Sequence, residues 1–419
     1  MLKQTEELHS LPAAEKLTAP NTRQLFLEPD ANGRSIFLHR LDGVRLCGST
    51  LHYPNVLAYS ACDGRRYNLM SERTMSLAGL APQKTAPEPV PQAMRVCHTP
   101  MFYFIYNTDN YYHFLYDSLP YLISFQHLRR QLPSLKLLMN FPTSQASQFY
   151  PFVCEFLELM GIGDNEIVIA EFGTQYSQLY VSDSYTHGHD SQLPPRAEIY
   201  AVYGSLLAAA RPHFQENTPP KLYISRRTWL HNNFSNIGTN YTSRRRLENE
   251  DALVKLLEAH GYTEVFTENL STLDKLNYFA QAEKVVGAIG GGVCNVLFSP
   301  PVTQLVCLVS PTFLDFNRRF LHSFEHVKLV LFDAASHTEQ GRLKRYMRVH
   351  CPEQGLVGEI SAIDGDRIEL SYTLENVAGW NAQNVFNTIV LDQGHCIPLD
   401  AGLNSPWLID LEALARSIA

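Results

Sequence analysis

Several classes of protein are excluded by what this 419-residue sequence lacks. No window is apolar for long enough to cross a bilayer, so no transmembrane segment is expected. The opening Met1-Leu2-Lys3-Gln4-Thr5-Glu6-Glu7 leads into no apolar signal-peptide core, which points to a cytoplasmic location and leaves only peripheral membrane contact open. Positive charge is not in excess. The formal net charge is -8, which argues against nucleic acid as the main partner. The eight cysteines (Cys47, Cys62, Cys97, Cys154, Cys294, Cys307, Cys351 and Cys396) are scattered, with no Cys-x-x-Cys pair. That spacing suits buried thiols in a reducing compartment better than a zinc site or a disulfide framework. No repeat of 20–50 residues is visible, and no spaced Gly-x-Gly-x-x-Gly pattern occurs.

What remains is an ordinary globular composition, 45% hydrophobic and 18% charged. The chain is too long for one core, so two main domains are expected. Residues 1–95 are rich in turn formers, run into a proline-rich connector at 81–91, and read as an irregular N-terminal layer. Between 96 and 216, strand-like and helix-like runs alternate, the signature of a parallel α/β domain. A second α/β domain is expected over 217–340, after the hinge-like Asn217-Thr218-Pro219-Pro220. From 341 to 419 the pattern turns to antiparallel strands around Asp364-Gly365, a small β appendage.

Three stretches carry chemistry. In the first, an aromatic strand enters a helix capped by Asn107, Thr108 or Asn110. His113 and Asp117 lie four apart and share a face, Leu115, Leu119 and Leu122 form another, and Pro120 should kink or break the helix. The second is Lys221-Leu222-Tyr223-Ile224-Ser225-Arg226-Arg227, a strand that delivers two arginines at its carboxyl end. A polar loop over 228–243 suits a mobile cover for a ligand; Arg246 follows it, and Asn249 is placed to cap a helix. The third is a strand ending near Ala288, then Gly290-Gly291-Gly292 and a short helix containing Asn295, stopped by Pro300-Pro301. A glycine turn at a strand's carboxyl end lies where open α/β sheets bind ligands, and the following helix offers free N–H groups to a phosphate. Close helix–strand packing is the other explanation of the same glycines.

Taken in order, Asn110 to Asp117, Tyr223 to Arg227 with Arg246 to Glu250, and the glycine loop through Asn295 to Pro301 resemble glycosyltransferase family 61, whose bacterial members are often capsular polysaccharide biosynthesis proteins. The resemblance covers roughly residues 100–335. It implies a GT-B fold, two Rossmann-like domains facing a cleft, and inverting transfer from a nucleotide-diphosphate sugar to a saccharide or glycoconjugate acceptor. One position departs: Ile289 stands where the family loop commonly carries a histidine.

Inverting transfer needs a base for the acceptor hydroxyl and compensation for charge on the departing diphosphate. His113 and Asp117 are the candidates for the first role. Arg226, Arg246, Gly290, Gly291, Gly292 and Asn295 are candidates for holding the nucleotide sugar, with no cofactor required and no divalent metal expected. An imidazole, with an ordinary pKa of about 6.5, suits proton acceptance near neutrality, and Asp117 would orient it. Two other classes stay open. A metal-dependent hydrolase would use His113, Asp117, His187, His189 and Asp190, and a non-catalytic binding protein would keep the fold without turnover.

Overall fold

The computed structural model of the chain describes residues 22–47, 57–60, 66–68, 95–104, 110–141, 147–171, 173–186, 193–230, 245–310, 313–314, 318–333, 343–372, 387–399 and 404–418. The proline-rich connector, Asn107, Thr108, His187, His189, Asp190 and most of the polar loop lie outside these residues. The protein is α/β with mixed sheets and divides into two compact units. The first runs to Phe214 and includes Ser271–Leu276; the second holds the rest of the described chain from Gln215 onward.

The first unit is built on a nine-stranded sheet. Its parallel part contains β6 (Met101–Tyr103), β7 (Lys136–Met139), β8 (Ile167–Ile169) and β9 (Thr174–Ser182), in the spatial order β9-β6-β7-β8, with β5 (Arg95–Cys97) also beside β9. The N-terminal stretch, expected to be irregular, instead extends this sheet. β1 (Thr22–Leu27), β2 (Ile36–Cys47), β3 (Leu57–Ser60) and β4 (Arg66–Asn68) pair antiparallel, and β2 lies against β9. Its strands alternate apolar and polar residues too briefly to stand out: in β1 only Phe26 and Leu27 are buried.

Helix α1 occupies 111–131. Asn110 caps it, its side-chain oxygen accepting from the His113 N–H at 3.3 Å. Pro120 was expected to kink or break the helix, but the helical run does not stop there. A widened π turn over Phe114–Ser118 and a tight 3₁₀ turn over Leu119–Tyr121 absorb the missing N–H and the ring, and regular helix resumes at Leu122. Leu115, Leu119 and Leu122 are fully buried, as are Phe114 and Phe125, so α1 is a central helix and not a surface one. α2 (Pro151–Leu159) begins at its proline, where no N–H is needed, and α3 (Ile199–Ala210) closes the unit.

The second unit carries a five-stranded parallel sheet. Along the chain run β10 (Lys221–Ile224), α4 (Glu250–Ala259), β11 (Thr263–Val265), α5 (Thr272–Gln281, whose residues to Leu276 count with the first unit), β12 (Lys284–Ala288), a 3₁₀ turn (Val293–Phe298), β13 (Gln304–Val309) and β14 (Lys328–Asp333). The spatial order is β11-β10-β12-β13-β14. Gly261 ends α4 with φ +80°, and Ser271 and Asp274 exchange hydrogen bonds at the start of α5. An antiparallel sheet follows, in the order β18-β17-β16-β15-β19, from β15 (Arg348–Cys351), β16 (Leu356–Asp364), β17 (Arg367–Tyr372), β18 (Asn387–Asp392) and β19 (Ile397–Pro398). Gly365, with φ +58°, makes the turn between β16 and β17.

Asn249 was expected to cap α4 but makes no side-chain cap bond. Its amide pairs instead with Ile409, donating to the carbonyl at 2.8 Å and accepting from the N–H at 3.1 Å. The chain thus returns from the antiparallel sheet, and Trp407, Ile409 and α6 (Leu411–Ile418) enter the core of the parallel sheet against Leu253, Leu257 and Tyr223. Trp407 is 1% exposed, and its indole N–H donates to the Arg245 carbonyl at 2.8 Å. Trp407→Ala should therefore cost about 3–5 kcal/mol of stability. Urea denaturation of the full chain checks this; a loss below about 1 kcal/mol would mean that the returning segment is peripheral.

Candidate functional site

Each unit places candidate residues in segments that follow the carboxyl ends of parallel strands. In the first unit the chain steps outward from β6 to β7 and β8, then returns to lay β9 on the other side of β6. β6 and β9 are parallel neighbours, so the segments that follow them both leave from the carboxyl end of the sheet. Helix α1 enters from the β6 side with His113 and Asp117. The segment Asp183-Ser184-Tyr185-Thr186 enters from the β9 side.

The two sides meet at one carboxylate. His113 Nδ1 and Asp117 Oδ2 are 2.7 Å apart, and the Thr186 hydroxyl donates to Asp117 Oδ1 at 2.9 Å. The Asp117 side chain is 1% exposed, whereas that of His113 is 21% exposed. A buried carboxylate needs partners on both oxygens, and here each has at least one. With Asp117 ionised, the imidazole proton sits on Nδ1, and Nε2 carries the lone pair. Beside this pair Tyr121 is fully buried, and burial pushes its phenol well above its ordinary value. A second His–Asp pair, His39 Nε2 to Asp183 Oδ1 at 3.0 Å, is buried at the same end of β9.

In the second unit the switch point lies between β10 and β12, parallel neighbours in which Ile224 is level with Gly287. The end of β10 is pinned by Glu250 on α4. Its Oε1 accepts from the Tyr223 hydroxyl at 2.7 Å and from the Arg226 backbone N–H at 2.8 Å. Burial raises the Glu250 carboxyl above its ordinary range, and the Arg226 and Tyr223 donors pull it back. The two arginines then diverge. Arg227 forks onto Glu264 through Nε at 2.9 Å and Nη2 at 2.5 Å, and reaches Asp251 at 2.7 Å. Arg226 turns to the glycines: a Cβ added to Gly290 would meet its Nη1 at 3.2 Å. Burial pushes the Arg226 guanidinium below its ordinary value.

Space, not backbone handedness, explains the glycines. None of Gly290, Gly291 and Gly292 has a positive φ. A Cβ on Gly292 would lie 2.9 Å from both Ile224 Cγ2 and Thr267 Oγ1, and one on Gly287 would lie 2.7 Å from Val293 Cγ2. Gly292 and Gly287 therefore serve close packing on β10, while Gly290 lies beside Arg226. Asn295 is buried, and its amide nitrogen donates to the Gly292 carbonyl at 2.9 Å, holding the turn. Ile289 is 2% exposed and its N–H donates to the Leu308 carbonyl, so this position belongs to the core. Gly291 is half-buried. Arg246 is exposed, and its carbonyl accepts from the Trp407 N–H at 3.0 Å.

His113 and Asp117 are thus brought together within the first unit, and Arg226 and Gly290 within the second. Thr186 and Glu250 were not singled out from the sequence as functional. Glu250 had a signal in its place beside Asn249 at the start of a helix. Thr186 had none, since it stands 69 residues from the carboxylate it touches. Among the described residues no group of three or more His, Cys, Asp or Glu side chains could hold a metal ion, and no helix is long and apolar enough to cross a membrane.

The family model for Glycosyltransferase 61 matches residues 111–306, just under half of the chain and inclusive of every candidate named above. No curated protein matches. Among solved structures, the chain is similar to a bacterial iron-containing dodecameric glycosyltransferase, TibC from enterotoxigenic E. coli H10407, at 11% identity and a TM-score of 0.25, over 71% of this chain and 80% of that one. A dodecameric iron-containing heptosyltransferase TibC in complex with ADP-D-beta-D-heptose is similar at 12% identity and a TM-score of 0.27, over 78% and 86%. Likeness at this level does not define a shared arrangement of domains.

Removing the Thr186 hydroxyl takes one donor away from a buried carboxylate oxygen. Thr186→Val should cost about 1–3 kcal/mol of stability, and Thr186→Ser should keep most of it. Chemical denaturation of the three proteins checks this. Equal stability of the Val and Ser variants would show that the hydroxyl does not hold Asp117.

Proposed function

We propose that the protein is an inverting glycosyltransferase that moves a sugar from a nucleotide-diphosphate sugar to a saccharide or glycoconjugate acceptor. The observation that carries this reading is the match of residues 111–306 to the Glycosyltransferase 61 family. The contacts among His113, Asp117 and Thr186 in the first unit and the approach of Arg226 to Gly290 in the second support this reading.

In this reading the first unit acts on the acceptor. His113 Nε2 takes the proton of the acceptor hydroxyl as its oxygen attacks the anomeric carbon. Asp117 holds Nδ1–H and stabilises the imidazolium that forms, and Thr186 holds Asp117. The second unit binds the donor at the β10–β12 switch point. Arg226, with Arg246 from the loop exit, offers forked donors to the diphosphate, and the turn at Gly290, Gly291 and Gly292 lets phosphate oxygens approach the backbone. As the bond from the anomeric carbon to the diphosphate oxygen breaks, the growing negative charge falls to the guanidinium groups. Attack from the face opposite the leaving group inverts the anomeric centre. The scheme requires no cofactor and no metal. A GT-B arrangement of the two units, a cytoplasmic location and a part in surface polysaccharide or capsule synthesis are the corresponding expectations from the resemblance.

The donor half is tested by nucleotide binding. Calorimetry against nucleoside diphosphates and their sugars should show one class of nucleotide binding to the parent protein. Arg226→Lys keeps the charge and loses the fork, so affinity should fall by about 1–3 kcal/mol. Gly291→Val should obstruct the phosphates at a half-buried position, and circular dichroism should show the variant folded. Unchanged affinity in both variants would remove the nucleotide from this turn.

A further inference from the structure

The antiparallel sheet of the second unit has a small interior. Val349, Cys351, Ile360, Ile368, Leu370 and Cys396 are its buried side chains. A core of that size stabilises a sheet only marginally, and small scaffolds of this kind gain most from a covalent staple. Two of the six are cysteines. They stand 45 residues apart in sequence, yet their Sγ atoms are 2.7 Å apart.

The backbone brings them together independently of the sulfurs. Cys351 ends β15, and Cys396 follows the tight turn Gln393–His395 that leads into β19. β19 pairs back onto β15 through Val349 with Pro398 and His350 with Ile397. Asp392 fixes that turn by accepting the Gly394 N–H at 2.8 Å, and the Gln393 N–H is held by the Asp366 carbonyl at 2.8 Å. Both Cα positions are therefore set by ladders and turns. Burial and the neighbouring Cys396 thiol push the Cys351 thiol up to about 12, so in the folded sheet it is a thiol and not a thiolate. A metal would need further ligands, and among the described residues no group of three supplies them.

We propose that Cys351 and Cys396 form a disulfide that staples β15 to the start of β19. The oxidant is a small-molecule disulfide such as oxidised glutathione. One protein thiolate attacks a sulfur of that disulfide, forming a mixed disulfide and releasing one small thiolate. The second protein thiolate then attacks the mixed disulfide at the protein sulfur, closing the Cys351–Cys396 bond and releasing the second small thiolate. The two protons lost by the cysteines end on the two small thiols, so two protein thiols are oxidised and one disulfide is reduced. Because both cysteines are buried in the folded sheet, exchange takes place in the open chain or a locally opened sheet, and the bond locks as the ladder forms. The bond closes a long loop, the case in which a cross-link most restricts the unfolded chain.

The full chain, reduced and unfolded, should be refolded in a glutathione redox buffer, quenched by alkylation and mapped by mass spectrometry. The expected dominant product joins the Cys351 and Cys396 peptides, two hydrogens lighter than their sum. The thermal midpoint of this material should lie a few degrees above that of the reduced protein. Cys351→Ser should abolish both the cross-link and the dependence of the midpoint on oxidation. Cross-links scattered over other cysteines would overturn the proposal. So would a refolded chain in which Cys351 and Cys396 stay reduced while the exposed Cys154 carries glutathione.

Discussion

A carboxylate taken out of water must have donors, and at Asp117 that requirement organises one end of the first unit. One oxygen faces His113 on the same helix, and the other takes the Thr186 hydroxyl from the segment after β9. The contact with His113 lies wholly within the turns that precede Pro120, whereas the contact with Thr186 joins this helix to the segment after β9. The π turn widens the helix in the stretch that contains Asp117, and the 3₁₀ turn restores the path to Leu122. The buried Asp117 side chain thus sits in an irregular stretch of the helix.

The second unit solves a different problem, the close approach of a backbone turn to a strand end. Glu250 fixes the end of β10 by accepting from Tyr223 and Arg226 with one oxygen. Gly287 and Gly292 let the next crossover press onto Ile224, and Gly290 leaves the space that the Arg226 guanidinium borders. Arg227 is engaged by Glu264 and Asp251, so two adjacent arginines have separate duties: one ties α4 to β11, and the other faces the glycine turn. Both units place candidate residues in segments that follow the carboxyl ends of parallel strands, the end at which open α/β sheets bind ligands.

Local signals carried much of this in the sequence. A cap at Asn107, Thr108 or Asn110 and a hairpin turn at Asp364-Gly365 were legible, because each depends only on neighbours along the chain. The four-residue spacing of His113 and Asp117 and the strand-end position of Arg226 were legible for the same reason. What escaped depends on distant partners. Asn249 has the composition of a cap but is engaged by Ile409, 160 residues on. The N-terminal strands alternate too weakly to declare that β2 joins β9. Nothing local marks Thr186 as a partner of Asp117, or Cys351 as a neighbour of Cys396.

The claim on which the account turns is that His113 takes the acceptor's proton and Asp117 supports it. The most direct measurement is the turnover of a binding nucleotide sugar, followed as release of nucleoside diphosphate, in the parent, His113→Ala and Asp117→Asn. The account predicts a loss of about 10²–10⁴-fold in His113→Ala with nucleotide affinity retained, and a smaller loss in Asp117→Asn. Near-parental turnover by His113→Ala would contradict it and pass the role of base to another group.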